Sequence, residues 1–316
     1  MKPSITLFYY DNCVGERKDA QLICDALTNH FDIYLNDEQN NVQNVFINGE
    51  KKYHDLVSSS KINICNNFYA SFEDVTSVLI CNEEWISKTY LKIIPDFDFV
   101  IVKSDYAKKM LENYNDNVVV LPFWSQDRFD SDIKEENQVF HLAGRSIQKG
   151  TELLIDIPGV YVQDATERFK EDTNLKCNYH GYFLSDKDID ILYNKSNLLL
   201  CPSIYEGHGH YMYEALTCGK KPIVTKIPVW YEYLPDEVVT YLDVEKTKSK
   251  NNFDFFSEKY KNEMVFREGF IFDKNQLLNQ IENNIDTKFN TEIRKFALEL
   301  FDKRKKDFLN FFLDLL

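Results

Sequence analysis

Glycine and proline are scarce in this sequence, whose 316 residues include only 10 Gly and 8 Pro. That scarcity excludes collagen-like and linker-rich chains, and a hydrophobic content of 44% indicates a globular protein instead. Long apolar runs are missing too. None approaches the roughly 18 residues that cross a bilayer, and the N-terminal run is too short for a signal-peptide core. We therefore expect a soluble, cytoplasmic protein with no transmembrane segment.

Paired cysteines are also missing from the sequence. Its seven cysteines are odd in number, scattered, and form no C-x-x-C motif. This usage is typical of reduced thiols in a cytosolic compartment.

The sequence has fewer positively charged than negatively charged residues. Lys and Arg number 37 against 51 Asp and Glu, which gives a formal net charge of −14. A nucleic-acid-binding surface needs clustered cations to displace counterions, so nucleic acid is a poor candidate partner. The one dense basic run, Lys303 to Lys306, is interpreted as a solvated helix face.

Short apolar runs alternate with amphipathic stretches, the pattern of βαβ units around parallel sheets, so the predicted fold class is α/β. The predicted strands are Ile5–Tyr10, Val45–Asn48, Ile62–Cys65, Val75–Cys81, Phe99–Lys103, Val118–Leu121, Val139–Ala143, Val160–Gln163, Leu175–His180, Leu198–Cys201, Ile223–Thr225 and Val238–Leu242. The predicted helices are Glu16–His30, Glu84–Ile93, Asp105–Tyr114, Lys149–Ile157, Asp186–Lys195 and Gly209–Cys218.

The chain is long enough for two ordinary domains. The polar, acidic segment Pro122–Gln138 is the best linker candidate. We therefore expect an N-terminal domain over 1–130, a second domain over 131–290 and a helix over 291–316. The helix carries a phenylalanine-rich stripe that we expect to pack on the body of the protein and that could cross back to the first domain. Weak peripheral contact with a membrane is the alternative.

The segment Leu198–Pro222 carries the strongest local signal. A buried strand ends at Pro202, a loop containing Gly207 and Gly209 follows, and a helix then begins. Backbone N–H groups at such a helix start favour an anion such as a diphosphate. The sequence therefore predicts a phosphate site in this loop.

Two pairs of charged residues accompany this loop. Glu206 and Glu214 are carboxylates that can accept hydrogen bonds from sugar or ribose hydroxyls. Arg145 and Lys149 follow the strand that ends at Ala143, where two cations can stabilise the charge on a departing diphosphate. Either pair alone is more often an ordinary set of solvated surface residues.

Together the two segments resemble a known family. FHLAGRSIQKGT and CPSIYEGHGHYMYEALTCGKKPIVT look like the donor-binding motifs of family 4-type retaining glycosyltransferases of the GT-B superfamily, over about residues 138–235. The resemblance implies two Rossmann-like domains facing across a cleft, with the nucleotide sugar on the second. It implies catalytic roles for Arg145, Lys149 and Glu206. Donor contacts would come from Ser203, Gly207, His208, Gly209, His210 and Glu214.

The N-terminal half is similar to a branch of the same superfamily found in bacteria and large viruses, which would place a viral member in the host cytoplasm. YYDNCVGERKDAQLICDAL and LICNEEWISKTYLKIIPDFDFVIVKSDYAKKM carry this likeness. By that likeness, residues on the acceptor side of the cleft are Asn12, Gly15, Asn82, Glu84 and Trp85. Helix capping by Asn82, with Glu84 in the first turn, is the alternative interpretation of that segment.

The implied reaction moves a sugar from a nucleotide diphosphate sugar, of UDP or GDP type, to an acceptor hydroxyl on a glycan, protein, lipid or small molecule, of which a glycan or glycoconjugate is favoured. No metal and no other cofactor is expected. Three alternatives stay open: a zinc site at Glu206, His208 and His210, a nucleotide-sugar 2-epimerase of the same fold, and a non-catalytic binding subunit.

Overall fold

The computed structural model describes residues 2–9, 14–37, 45–47, 50–52, 60–68, 74–247 and 269–316. The chain divides into two compact units. The first runs to Trp124 and also takes in Asp302–Leu316, while the second runs from Ser125 to Phe301. No helix among the described residues is long and apolar enough to span a membrane.

The first unit is built on a parallel six-stranded sheet of order β2-β1-β5-β6-β7-β8. Its strands are β1 (Ser4–Tyr9), β2 (Asp32–Asp37), β5 (Ile62–Asn66), β6 (Thr76–Ile80), β7 (Phe99–Val102) and β8 (Val118–Val120), with a separate hairpin of β3 (Val45–Ile47) and β4 (Glu50–Lys52). The helices α1 (Val14–Leu27) and α2 (Asp105–Leu111) follow β1 and β7. The central strands β5 and β6 are buried along almost their whole length because a parallel sheet covered by helices is buried on both faces.

The second unit repeats this plan, with a parallel six-stranded sheet of order β11-β10-β9-β12-β13-β14. Its strands are β9 (Glu136–Gly144), β10 (Val160–Asp164), β11 (Asn178–His180), β12 (Ser196–Cys201), β13 (Ile223–Thr225) and β14 (Thr240–Leu242), with a small antiparallel pair of β15 (Glu245–Thr247) and β16 (Gly269–Ile271). Its helices are α3 (Asp186–Lys195), α4 (His210–Thr217), α5 (Pro228–Tyr231) and α6 (Lys274–Asn284). α7 (Thr291–Asp314) begins in this unit.

Two helices predicted from the sequence are not α-helices. Glu84–Ile93 is replaced by short 3-10 turns, because Ile86 is extended, with ψ 116°, and ends the first turn after three residues. Lys149–Ile157 is likewise replaced by 3-10 turns, since Gly150 at φ 68° takes the left-handed conformation that an α-helix excludes. Both segments therefore act as turns that follow strands.

The C-terminal helix α7 buries one stripe of its surface. Ile293, Ala297, Phe301, Phe308 and Phe312 are all buried, at spacings of four or seven residues that keep them on one face of the helix. Arg304, in the basic run that was predicted to be solvated, is also buried and donates to the carbonyl of Phe123 at 2.7 Å. The aromatic stripe is therefore used for packing within the protein.

Candidate active site

The turn after β9 contacts the loop after β12 through a glycine. At Gly150 a Cβ atom would lie 2.2 Å from the carbonyl oxygen of Pro202, and φ is 68°. The amide of Ile204 also donates to the carbonyl of Gln148 at 2.8 Å. Because no side chain separates the two segments, Lys149 is held beside the loop that carries Ser203 and Glu206.

Tyr211, in the first turn of α4, is the centre of this cluster. The ammonium group of Lys149 lies 3.3 Å from the centroid of the Tyr211 ring and 3.6 Å from Oε1 of Glu206. A desolvated cation over an aromatic face is stabilised by about 2 kcal/mol. Burial lowers the pKa of Lys149, and the Glu206 carboxylate opposes that shift. Charge complementarity therefore keeps this largely buried lysine beside the loop.

A directed chain of hydrogen bonds orients Glu206. The Ser203 hydroxyl lies 2.7 Å from Oε1 of Glu206 and 2.7 Å from the Tyr211 hydroxyl. A carboxylate oxygen only accepts, so Ser203 donates its single proton to Glu206 and accepts from Tyr211. Burial raises the pKa of Tyr211 well above its usual value, which keeps that donor protonated.

The helix α4 begins where the sequence predicted a phosphate site. Gly209 precedes it with φ 79°, and a Cβ there would lie 2.7 Å from the Trp230 ring. The Trp230 indole donates to the carbonyl of His208 at 2.9 Å, and Gly207 is buried. The glycine loop therefore packs on Trp230 and fixes the direction in which α4 starts.

Ser125 links the two histidines of this loop. Its hydroxyl lies 3.3 Å from Nε2 of His208 and 2.8 Å from Nδ1 of His210. The His208 ring also stacks on Tyr213, with centroids 4.6 Å apart. Among the described residues no group of three or more His, Cys, Asp or Glu side chains is arranged to hold a metal ion.

Glu214 lies deeper than the rest of the cluster and pairs with Arg128. The Arg128 Nε atom is 2.8 Å from Oε2 of Glu214, and both side chains are nearly fully buried. The other guanidinium nitrogens contact Asp186 and Asp190 of α3. The guanidinium group of Arg128 thus contacts three carboxylates. Of these three, Glu214 is the least exposed to water.

Arg145 lies apart from Tyr211. Its side chain is exposed, and its guanidinium carbon is 5.4 Å from the centroid of the exposed Phe183 ring. It follows Gly144, which takes the left-handed conformation at φ 59°. A long, solvated cation on a turn can change rotamer at little cost, so it remains our predicted second cation for a diphosphate.

A buried histidine links the turn that follows β9 to the end of β12. His141 of β9 lies 2.9 Å from the carbonyl of Leu200 and 3.0 Å from the Thr151 hydroxyl. Burial lowers the pKa of His141 to about 4. The ring is therefore neutral at pH 7, with Nδ1–H donating to Leu200 and Nε2 accepting from Thr151.

The residues predicted for the acceptor side fall in the first unit. The Asn82 side chain accepts from Lys103 at 2.6 Å and makes no capping bond to the turn that follows. Glu84 is buried, Trp85 is half-buried, and Gly15 is exposed in α1. Asn12 lies outside the described residues.

Four residues of the second-unit site were not singled out in the sequence: Ser125, Arg128, His141 and Tyr211. Ser125 and Arg128 lie in the segment interpreted as a linker, where their partners, distant in sequence, could not be seen. His141 interrupts an apolar strand with a polar ring, which is a usable signal, since a buried imidazole needs partners.

Comparison with known families gives one match. Residues 134–252 match the model of the family Glycosyl transferases group 1. No curated protein shows significant sequence similarity to the chain.

Solved structures resemble the whole chain. Sucrose-phosphate synthase from Thermosynechococcus elongatus has 14% identity and a TM-score of 0.67 over 99% of both chains. HepE from Anabaena, solved with UDP and glucose, has 14% identity and a TM-score of 0.62 over 99% of this chain and 98% of that one. WaaG, a glycosyltransferase of lipopolysaccharide biosynthesis, has 13% identity and a TM-score of 0.56 over 95% of both. These structures confirm the α/β fold class, and the family match over residues 134–252 confirms the predicted resemblance.

Proposed function

Because residues 134–252 match the Glycosyl transferases group 1 model and the chain has a GT-B fold, we propose that this protein moves a sugar from a nucleotide diphosphate sugar to an acceptor hydroxyl, with retention of configuration. The observation that carries the proposal is the cluster in which Lys149 and Glu206 meet at the first turn of α4, on Tyr211 and Ser203.

The diphosphate is the group that these residues suit best. When the bond between the sugar C1 and the phosphate oxygen breaks, the electron pair stays on the phosphate oxygen. Lys149, Arg145 and the amides of Gly209 and His210 would stabilise that charge as it develops. The acceptor oxygen attacks C1 from the same face, and its proton passes to the departing phosphate, so no separate nucleophile is required.

The two glutamates take different parts of the donor. Glu206, oriented by Ser203, would accept hydrogen bonds from sugar hydroxyls. Glu214, fixed by Arg128, would accept from the ribose. Ser203, Gly207 and His208 shape the loop between them. No metal ion or other cofactor enters this mechanism.

The donor is of UDP or GDP type, and the acceptor is a glycan or glycoconjugate. Among similar structures, HepE was solved with UDP and glucose. Burial raises the thiol pKa values of Cys65, Cys81 and Cys201, which disfavours the reactive thiolate. The odd number and scattered positions of the cysteines support a cytoplasmic site of action.

A thermal-shift screen with UDP, GDP, ADP and their sugars tests donor binding. A ligand present at 100 times its dissociation constant adds about 2.7 kcal/mol of stability. The best ligand is then measured by calorimetry against Lys149→Met and Glu206→Gln. Lys187→Met, an exposed change on α3, serves as the control.

We expect Lys149→Met to weaken nucleoside diphosphate binding about tenfold, or roughly 1.4 kcal/mol, because a charge-assisted contact is lost. Glu206→Gln should spare the diphosphate but weaken the intact nucleotide sugar. If no nucleotide binds the parent protein, a non-catalytic scaffold replaces the proposal. Conversion of the donor to an isomer of equal mass without an acceptor would assign an epimerase.

A further inference from the structure

Tyr211 is buried next to the two charged groups that the proposed mechanism uses. Tyr211 is 3% exposed and Ser203, which is bonded to its hydroxyl, is 0% exposed, so neither offers surface to a ligand. The side chains of Lys149 and Glu206 are 12% and 8% exposed, so a part of each charged side chain reaches the surface. Any role of Tyr211 in the proposed transfer therefore acts through these neighbours.

The Tyr211 ring is enclosed on several sides. The His141 ring meets it edge-on, with centroids 6.4 Å apart and planes at 84°, and the Trp230 ring lies 6.2 Å away. The Tyr193 hydroxyl donates to the Tyr211 carbonyl at 2.8 Å, which ties the first turn of α4 to α3. A side chain packed in this way has little room to change rotamer. Its ring face and its hydroxyl therefore occupy fixed positions.

The ring face determines where the Lys149 ammonium group lies. The Nζ atom is 3.3 Å from the ring centroid, in direct contact with the π face. A lysine on a turn otherwise samples many rotamers and loses that freedom when it binds an anion. Because the contact with Tyr211 restricts Lys149 before any ligand arrives, less entropy is lost when a diphosphate binds.

The hydroxyl of Tyr211 acts on the other charged group. It donates to Ser203 across 2.7 Å, and Ser203 donates in turn to Oε1 of Glu206 across 2.7 Å. The Tyr211 proton occupies a lone pair of Ser203 and so directs the Ser203 proton to the carboxylate. With Oε1 held by Ser203, Oε2 of Glu206 is the oxygen available to a sugar hydroxyl.

We infer that Tyr211 is a positioning residue with two separable contacts: its ring face holds Lys149 for the diphosphate, and its hydroxyl, through Ser203, holds Glu206 for the sugar. The inference rests on the proposed function, which assigns these two parts of the donor to Lys149 and Glu206. Loss of the hydroxyl alone therefore impairs recognition of the sugar, whereas loss of the ring impairs recognition of the diphosphate as well.

NMR of the ligand-free protein, with ¹³C-labelled lysine, tests the ring contact without any donor. Protons above the face of an aromatic ring resonate upfield, so the ε-methylene group of Lys149 should resonate upfield of its position in an exposed lysine. Lys149→Met identifies this resonance by its loss. We expect the upfield position to persist in Tyr211→Phe and to be lost in Tyr211→Leu. A Lys149 resonance at the ordinary position in the parent would overturn the inference.

Calorimetry then separates the two contacts, with UDP and UDP-glucose, and GDP and GDP-mannose, as probes. Tyr211→Phe keeps a ring face for Lys149, so it should bind the nucleoside diphosphate within about twofold of the parent but the nucleotide sugar about fivefold more weakly. Tyr211→Leu should weaken both, the diphosphate by about fivefold. Tyr241→Phe, the matched control, should change neither affinity. It removes a hydroxyl that donates to the Leu234 carbonyl at 2.7 Å, from a ring that faces Lys226 at 5.7 Å.

A double-mutant cycle with Lys149→Met distinguishes positioning from general damage to the loop. In the Lys149→Met background, Tyr211→Leu should cause no further loss of diphosphate affinity, because the ring then has no cation to hold. A second loss of the same size would indicate damage to the loop and would overturn the inference. Should Tyr211→Leu not fold, the parent resonance and Tyr211→Phe decide the question, since Phe leaves the ring in place.

The outcomes separate the inference from the proposed function. If the parent binds neither UDP nor GDP, the proposed function fails and the inference fails with it. If the parent binds one of them and Tyr211→Leu binds it as tightly, only the inference fails. The same holds if Tyr211→Phe binds the nucleotide sugar as tightly as the parent does.

Discussion

Replacement of His141 by Gln removes a titrating group that contacts Thr151, just after the Lys149 turn. In the folded protein the neutral ring bridges the Leu200 carbonyl and the Thr151 hydroxyl. Gln carries a donor and an acceptor but no titratable proton. The variant should therefore keep a polar contact in place of the ring while losing its dependence on pH.

The magnitude follows from the shift in pKa. Burial lowers the pKa of His141 from 6.5 to about 4. Between these values the unfolded chain binds a proton that the folded chain does not, so the free energy of unfolding falls as pH decreases. The contribution is fully present above pH 6.5 and is lost towards pH 4. The slope is at most about 1.4 kcal/mol per pH unit, and the total is about 3 kcal/mol.

Urea unfolding of the parent and His141→Gln, repeated from pH 7.5 to 4.5, measures this term. The difference between the two proteins cancels the carboxylates that titrate in both. We expect the stability advantage of the parent to shrink by about 2–3 kcal/mol across this range. A difference that stays constant with pH would show that His141 binds a proton as readily in the folded protein as in the unfolded chain, and the lowering of its pKa by burial would be wrong.

Two further substitutions test the packing of the site. Gly150→Ala should lower the free energy of unfolding by more than about 2 kcal/mol, measured by urea unfolding, because a Cβ would lie 2.2 Å from the Pro202 carbonyl oxygen at a positive φ; stability like that of the parent would disprove the close approach. Arg128→Met should cost about 3–5 kcal/mol in the same assay, because it leaves the Glu214 carboxylate buried without its cation. Asp186→Asn removes a partner that is 81% exposed and should change stability by less than about 1 kcal/mol, and an equal loss in both variants would contradict this order.

Most strands could be predicted because their apolar runs report burial on both faces of a parallel sheet. The edge strand β2 was missed because its apolar run, Ile33–Leu35, is only three residues long and lies between the polar residues Asp32 and Asn36. The helix predicted at Lys149–Ile157 was wrong for a tertiary reason. Gly150 takes the left-handed conformation where the turn packs against Pro202. The hydrophobic pattern of residues 149–157 does not reveal that contact.

In the second-unit site, the residues that could be predicted are those whose partners lie close to them in the sequence. Glu206 and Ser203 belong to one loop, and their spacing is visible. Arg128 has all its carboxylate partners on α3 and α4, far along the chain, so its position among acidic residues looked like an ordinary linker. The roles assigned to Arg145, Lys149, Glu206 and Glu214 stay predictions.

Ser125 has one proton to share between two imidazole rings. It can donate to the lone pair of only one of them, so the other ring must present N–H to the hydroxyl oxygen. The tautomers of His208 and His210 are therefore coupled: reversing one reverses the direction of the whole relay and changes which ring atom offers a proton. A negatively charged group arriving at the start of α4 would select the direction that leaves Nε2 of His210 protonated.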